Sequence, residues 1–173
     1  VYDNWKSMAS TTISTDGKWV SYVVNPQQGD GWLYLYSVAK GSLDSVARGT
    51  RPVFSPSNNY LVYQVIPKYN ETREAKKKKL KEDKMPKNSL EIRLLASGEK
   101  IIADRVKSFA VPEEKSEWMA YLHEKKSEEK KDTSAKEANV KTGESSEIKI
   151  PKKPDPKGTE FVIFNPVLKK EYR

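Results

Sequence analysis

The sequence predicts an all-β fold on three observations: short apolar runs of period two, turn residues punctuating them, and a hairpin pattern that recurs along the chain. One copy reads Ile13-Ser14-Thr15-Asp16-Gly17-Lys18-Trp19-Val20-Ser21-Tyr22, and a second reads Phe54-Ser55-Pro56-Ser57-Asn58-Asn59-Tyr60-Leu61-Val62-Tyr63. Both hold an apolar residue, Ser, a polar turn, an aromatic, an aliphatic and Tyr. A degenerate third copy spans Phe109 to Tyr121, with three extra residues in its turn. The first two copies start 41 residues apart and the next two 55 apart. The shorter spacing is that of a four-stranded propeller blade. The expected architecture is therefore an incomplete β-propeller of about three four-stranded antiparallel blades, with one short helical insertion and one long flexible insertion.

Within each copy, Asp16-Gly17 and Asn58-Asn59 supply the left-handed backbone that a tight turn between strands needs. The second strand alternates, Trp19 and Ser21 to one face, Val20 and Tyr22 to the other. Third strands are expected at Trp32–Tyr36, Leu90–Leu95 and Glu160–Phe164. Gly41 and Gly98 then turn the chain into short fourth strands near Asp44–Ala47 and Lys100–Ala103. The third copy has no such Gly, and its fourth strand is expected around Leu168–Tyr172. Residues 1–50 are thus read as an N-terminal segment and blade 1. Residues 51–104 are read as blade 2 with a Lys-rich helical insertion at 68–87, and 105–173 as blade 3 with a flexible Lys/Glu-rich insertion at 124–158.

In the first insertion Asn70 is expected to cap a helix, with Glu71 and Glu74 in its first turn and Pro86 ending it. Its apolar positions are few (Ala75, Leu80), so the helix should be largely solvated. The second insertion has too few aliphatics to fold alone. Three blades leave sheet edges and apolar faces open, whereas closed propellers use about four to eight blades. The chain is therefore expected to be the N-terminal part of something larger, or to be completed by a second polypeptide.

Composition narrows the chemistry. The 173 residues include no Cys and one His, which removes thiol nucleophiles, zinc knuckles, disulfides and iron–sulfur sites. Lys+Arg number 32 against 24 Asp+Glu, a net charge of +8. Much of that excess sits at 68–87, where nine basic residues face four acidic ones. The aromatics and the lysine runs are segregated, whereas a nucleic-acid groove interleaves cations with stacking rings. No nucleic-acid partner is expected. No apolar run approaches the length of about 18 residues that a membrane span needs.

Candidate catalytic motifs are weak. No Gly-x-Ser-x-Gly elbow occurs, and His123, the only imidazole, stands where a strand meets a charged loop. Ser-x-x-Lys occurs at Ser37–Lys40, Ser97–Lys100 and Ser146–Lys149, none before an apolar helix that would bury the lysine. Gly29-Asp30-Gly31 lacks the third glycine of a dinucleotide loop and reads as a strand connection. Asn70-Glu71-Thr72 matches a glycosylation sequon by composition alone. Asp16 matches a turn rather than a coordination shell. No catalytic or metal-binding residue is assigned, substrate-binding residues stay unknown, and no cofactor is expected.

The combination of Tyr2-Asp3-x-Trp5-Lys6, Ile13-Ser14-x-Asp16-Gly17-Lys18-Trp19-Val20-x-Tyr22, Asp30-x-x-Leu33-Tyr34 and Phe54-Ser55-Pro56 resembles the start of a propeller domain. The similarity is to prolyl oligopeptidase and dipeptidyl-peptidase-like serine peptidases, especially the long type of Bacteroides relatives. The stretch Ala75–Leu80 followed by Met85–Leu90 resembles an insertion in that group, and the resemblance covers roughly residues 1–123. It implies a propeller that filters peptide substrates over a C-terminal α/β-hydrolase domain carrying a Ser-Asp-His triad. None of the triad positions has a counterpart here. The expected function is thus that of an N-terminal propeller segment, silent by itself, gating peptide access to a hydrolase domain. The alternative is a non-catalytic TolB-like or WD-like propeller acting as a protein-binding scaffold. The partners implied are the hydrolase domain or further blades, and peptides; the localisation implied is periplasmic or secreted.

Overall fold

The computed structural model describes residues 5–114, 116–124 and 159–173. Its strands form three four-stranded sheets, each an antiparallel meander in chain order. The first holds β1 (Lys6–Ile13), β2 (Trp19–Pro26), β3 (Trp32–Ser37) and β4 (Ser42–Ala47). The second holds β5 (Gly49–Phe54), β6 (Tyr60–Val65), β7 (Ser89–Leu94) and β8 (Lys100–Ala103). The third holds β9 (Val106–Ala110), β10 (Met119–His123), β11 (Phe161–Asn165) and β12 (Lys170–Tyr172). The expected insertion at 124–158 lies outside the described residues except for Glu124.

The repeated serine explains itself in the turns. The buried Ser55 hydroxyl accepts hydrogen bonds from the amides of Asn59 (3.0 Å) and Tyr60 (3.1 Å), closing the β5–β6 hairpin. Ser14 does the same for the Trp19 amide at 2.9 Å, and donates to Asp16 at 2.7 Å. Gly17 (φ 69°) and Asn58 (φ 59°) hold the left-handed corners. In the β11–β12 turn, where no glycine stands, Lys169 takes the left-handed role at φ 53°. Ser55→Ala would leave two amides without their acceptor, that of Tyr60 in a buried position. We expect a loss of about 1–3 kcal/mol in stability, measured by urea unfolding, with Ser55→Thr losing less.

The middle sheet carries the packing. All six residues of β6 are buried, although strands with one wet face alternate. Its even positions Tyr60 and Val62 join Leu90, Ile92, Val106, Met119, Tyr121, Val162 and Phe164 in the core between the second and third sheets. Its odd positions Leu61, Tyr63 and Val65 join Val23, Leu33, Leu35 and Leu95 between the first and second. The outer sheets bury one face each. Met8, Ile13, Trp32, Tyr36 and Leu43 stay exposed on the first, and Phe161, Ile163 and Tyr172 on the third.

Polar ties reinforce the two seams. Asn58 Oδ1 of the second sheet accepts from the amide (3.0 Å) and hydroxyl (2.9 Å) of Thr15. Asn59 Nδ2 donates to Glu117 at 2.7 Å, and Lys169 pairs with Glu99 at 2.7 Å. Arg93 pairs with Asp44 across the first seam. Burial opposes charge on the Asp44 carboxyl, but the Arg93 hydrogen bond and the neighbouring Ser45 amide and cations hold it below its usual range.

The helical insertion differs from its expected bounds. Helix α1 spans Tyr69–Lys77, so Asn70 lies inside it, and no side chain of the flanking Lys68 caps it. Its first amide, that of Tyr69, instead donates to Asp30 Oδ1 of the β2–β3 loop at 2.8 Å. A carboxylate 39 residues away thus does the work expected of a local cap. Lys79 (φ 49°) turns the chain out of helix well before Pro86, and a single 3-10 turn at Glu82–Lys84 follows. Only Ala75 of α1 is buried, which keeps the helix on the surface.

Candidate functional site

The sequence-derived candidates fall apart spatially. His123 Nδ1 lies 2.9 Å from the Asp104 carbonyl oxygen, and its ring meets Tyr121 edge-on at 5.3 Å. That is a strand-end contact with no hydroxyl nucleophile in it. Ser37 accepts from the Lys40 amide at 3.4 Å and Ser97 from the Glu99 amide at 3.2 Å. Both serines hold β-turns, so their lysines serve no buried pairing; Ser146–Lys149 lies outside the described residues. Asp16 accepts from Ser14 and from the Lys18 amide, and these bonds, the Ser14 one first, lower its pKa. Gly29-Asp30-Gly31 forms the loop that holds α1. A Cβ at Gly31 would stand 2.2 Å from Asn25 Oδ1 and 3.1 Å from the Val24 carbonyl oxygen, so a larger residue there would have to displace the Asn25 side chain. Among the described residues, no group of three or more His, Asp or Glu converges.

What does converge is the set of first strands. β1, β5 and β9 each form one edge of their sheet, and β1 packs beside β5. Arg51 of β5 reaches across to β9, its guanidinium 5.9 Å from the centre of the Phe109 ring. Each of the three strands breaks register at one place: between Ala9 and Thr12, between Thr50 and Val53, and at Lys107 between Val106 and Ser108. These are β-bulges, which re-aim a side chain and twist a sheet edge away from further pairing. Ser10 (φ 50°) and Arg51 (φ 52°) occupy the bulges in left-handed backbone.

The residues that lead into these strands repeat the pattern. Arg48 (φ 63°) precedes β5 and Arg105 (φ 58°) precedes β9. The Ile66 amide donates to the Arg48 carbonyl at 3.1 Å, and the Glu124 amide to that of Arg105 at 2.7 Å. Ile66 leads through Pro67 and Lys68 into α1, so Arg48 and α1 share one end of the sheets. At that end an open groove of about 460 Å³ runs along α1, lined by Tyr69, Thr72, Arg73, Lys76 and Lys77. The bulge cations escaped the sequence reading because segment charge counts average them away. The only trace was the placing of Arg51 and Lys107 just ahead of the second and third copies of the repeat.

Electrostatics at the first seam tune one tyrosine. The buried Tyr63 hydroxyl donates to Glu91 Oε2 at 2.8 Å, and burial first, then Glu91, push its pKa above the ordinary 10.0. A raised pKa contributes stability that is complete below the unfolded value and lost as pH climbs through the folded one. Urea unfolding above pH 10 should therefore show wild type losing stability more steeply than Tyr63→Phe. Equal slopes would show that this hydroxyl is not linked to folding.

No family model matches the chain, and no curated protein matches it. Solved structures do. The β-propeller domain of the Trilobed protease from Pyrococcus furiosus, described as having an open velcro topology, superposes with a TM-score of 0.54 at 11% identity. The fold is a β-propeller. That superposition covers 98% of this propeller and 42% of the protease chain. The acylaminoacyl peptidase of Pyrococcus horikoshii gives a TM-score of 0.52 at 10% identity, over 99% of this propeller and 26% of that chain. An acylaminoacyl peptidase in complex with Z-Gly-Gly-Phe-chloromethyl ketone gives 0.51 at 12% identity, over 99% and 25%. The propeller described here thus spans less than half of each of these chains. Its sheets are blades, and the bulged strands β1, β5 and β9 are the blades' converging inner strands.

Proposed function

We propose that this chain is the N-terminal propeller segment of a prolyl-oligopeptidase-family serine peptidase. Its blades form part of a wall that restricts access to short peptides, and the Ser-Asp-His chemistry belongs to an α/β-hydrolase domain. The observation that supports this reading most is the likeness of nearly the whole chain to propellers of proteases and acylaminoacyl peptidases. The apolar outer faces add to it. Met8, Ile13, Trp32 and Leu43 on the first blade, with Phe161 and Ile163 on the third, present sheet surface of the kind that neighbouring blades cover. The proposed setting is the periplasm or beyond.

The test is a fluorophosphonate probe applied to the complete gene product, followed by intact mass. Labelling on a chain much larger than 19.8 kDa places these blades on a serine peptidase. The expected complement is that the isolated 173-residue chain takes no label and leaves aminoacyl-proline reporters intact. No labelling of the complete product would replace the peptidase reading with that of a binding scaffold.

A further inference from the structure

The three inner strands read KSMASTTI, GTRPVF and VKSFA. Between them they carry Lys6, Arg51 and Lys107 and not one carboxylate. Elsewhere in the blades, charges come in mixed sign: Asp44 with Arg93, Glu99 with Lys169, Glu160 and Glu171 with Arg173. Two of the three inner-strand cations stand on bulges, in neighbouring blades. Both are exposed, and among the described residues neither is paired with a carboxylate.

The geometry of Arg51 suits it to bind rather than to brace. Its guanidinium carbon stands over the Phe109 ring, 5.9 Å from the centre, and its N–H edges make no hydrogen bond to the described residues. Those edges form the fork that fits a carboxylate with two parallel hydrogen bonds. Lys107 stands on the adjacent inner strand, its carbonyl held by Gln64 Nε2 at 3.3 Å while its ammonium stays exposed. Arg48, at the mouth of β5, has one guanidinium nitrogen on the Ile66 carbonyl at 3.3 Å and extends the positive stripe toward α1. A wall of one sign, with low-dielectric blades behind it, concentrates ligands of the other sign.

We propose that the inner wall of this propeller recognises carboxylates of peptides, with Arg51 and Lys107 as the specificity-determining pair. It follows that the wall favours peptides bearing Asp, Glu or a free C-terminus over neutral or basic ones. The choice of peptides as ligands rests on the peptidase reading above; the preference for carboxylates rests on the wall alone.

The experiment uses the complete protein after treatment with fluorophosphonate, so that bound peptides stay intact. Fluorescein-labelled hexapeptides containing two Glu or two Gln, each as C-terminal acid and as amide, are titrated by anisotropy at 50 mM and 500 mM salt. The Glu peptide or the free acid is expected to bind at least about tenfold tighter than its neutral partner at low salt, with the gap shrinking at high salt. A gap set by Glu against Gln assigns the wall to side-chain carboxylates, and one set by acid against amide assigns it to C-termini. Arg51→Asn, which keeps a residue tolerant of left-handed backbone, combined with Lys107→Gln should abolish the gap. Arg51→Lys should retain most of it, and matched thermal unfolding would show that the blades persist. Equal binding of all four peptides, or a gap unchanged in the double variant, overturns the proposal. Fluorophosphonate labelling with equal peptide binding sinks the wall's selectivity and leaves the peptidase reading intact. A carboxylate gap without labelling does the reverse.

Discussion

Leu61→Ala is expected to lower the free energy of unfolding by about 2–5 kcal/mol. Leu61 is fully buried and packs with Val23, Leu33, Leu35 and Leu95 in the seam between the first two blades. Truncation removes apolar contact and leaves a cavity that two stiff sheets cannot collapse to fill. Because β6 is buried on both faces, Ile92→Ala on the opposite side should cost a similar amount. In the isolated 173-residue chain, Leu43→Ala, on the exposed outer face of the first blade, should cost less than about 1 kcal/mol. Urea unfolding monitored by tryptophan fluorescence checks all three. Equal losses at Leu61 and Leu43 would mean that the two seams are not where the stability resides.

The second large effect concerns Gly49, where β4 hands over to β5. A Cβ there would stand 2.6 Å from the Leu33 Cβ and 3.0 Å from Leu33 Cδ2. Leu33 is 1% exposed, so it has nowhere to retreat. Its Cβ, tied to the backbone, cannot swing aside as a long side chain would. Gly49→Ala should therefore push the first and second blades apart and cost about 1–3 kcal/mol from overpacking. The double variant Gly49→Ala/Leu33→Gly supplies the check. It should be less destabilised than the sum of the single changes, because Leu33→Gly removes the Cβ as well as the Cγ and Cδ2 that the new methyl would meet. Strict additivity would show that the glycine is needed for another reason.

The hairpins were legible because their causes are local. Asp16-Gly17 and Asn58 were identified as turn formers from residue type alone, and they are the residues that stand at or beside the left-handed corners. The alternation in Trp19–Tyr22 and Tyr60–Tyr63 reported strand periodicity, which the registers confirm. The helix start was not legible in the same way. Asn70 is a good cap by type, yet Asp30 holds the Tyr69 amide from another blade, and a contact across 39 residues leaves no local signature. Nor did residue type reveal Lys169 in left-handed backbone, where the β11–β12 turn imposes the corner on a residue that does not prefer it.

The candidate site follows the same division. Sequence motifs pointed to Ser-x-x-Lys pairs and to His123, and tertiary structure put the described ones into turns and strand ends. The inner-strand cations had no motif. Arg51 and Lys107 are 56 positions apart in the chain, and only the convergence of β5 and β9 puts them on one wall.

By itself, the sequence determined the all-β class, the repeat, the three hairpins and the absence of thiol chemistry, because period-two alternation, turn stereochemistry and composition act over a few residues at a time. Tertiary structure alone decided which strand is buried on both faces, which distant carboxylate caps the helix, why Gly49 has no room for a side chain, and which cations share a surface. Those are properties of how blades stack. Stacking depends on contacts between residues tens of positions apart, whose energies no local pattern encodes.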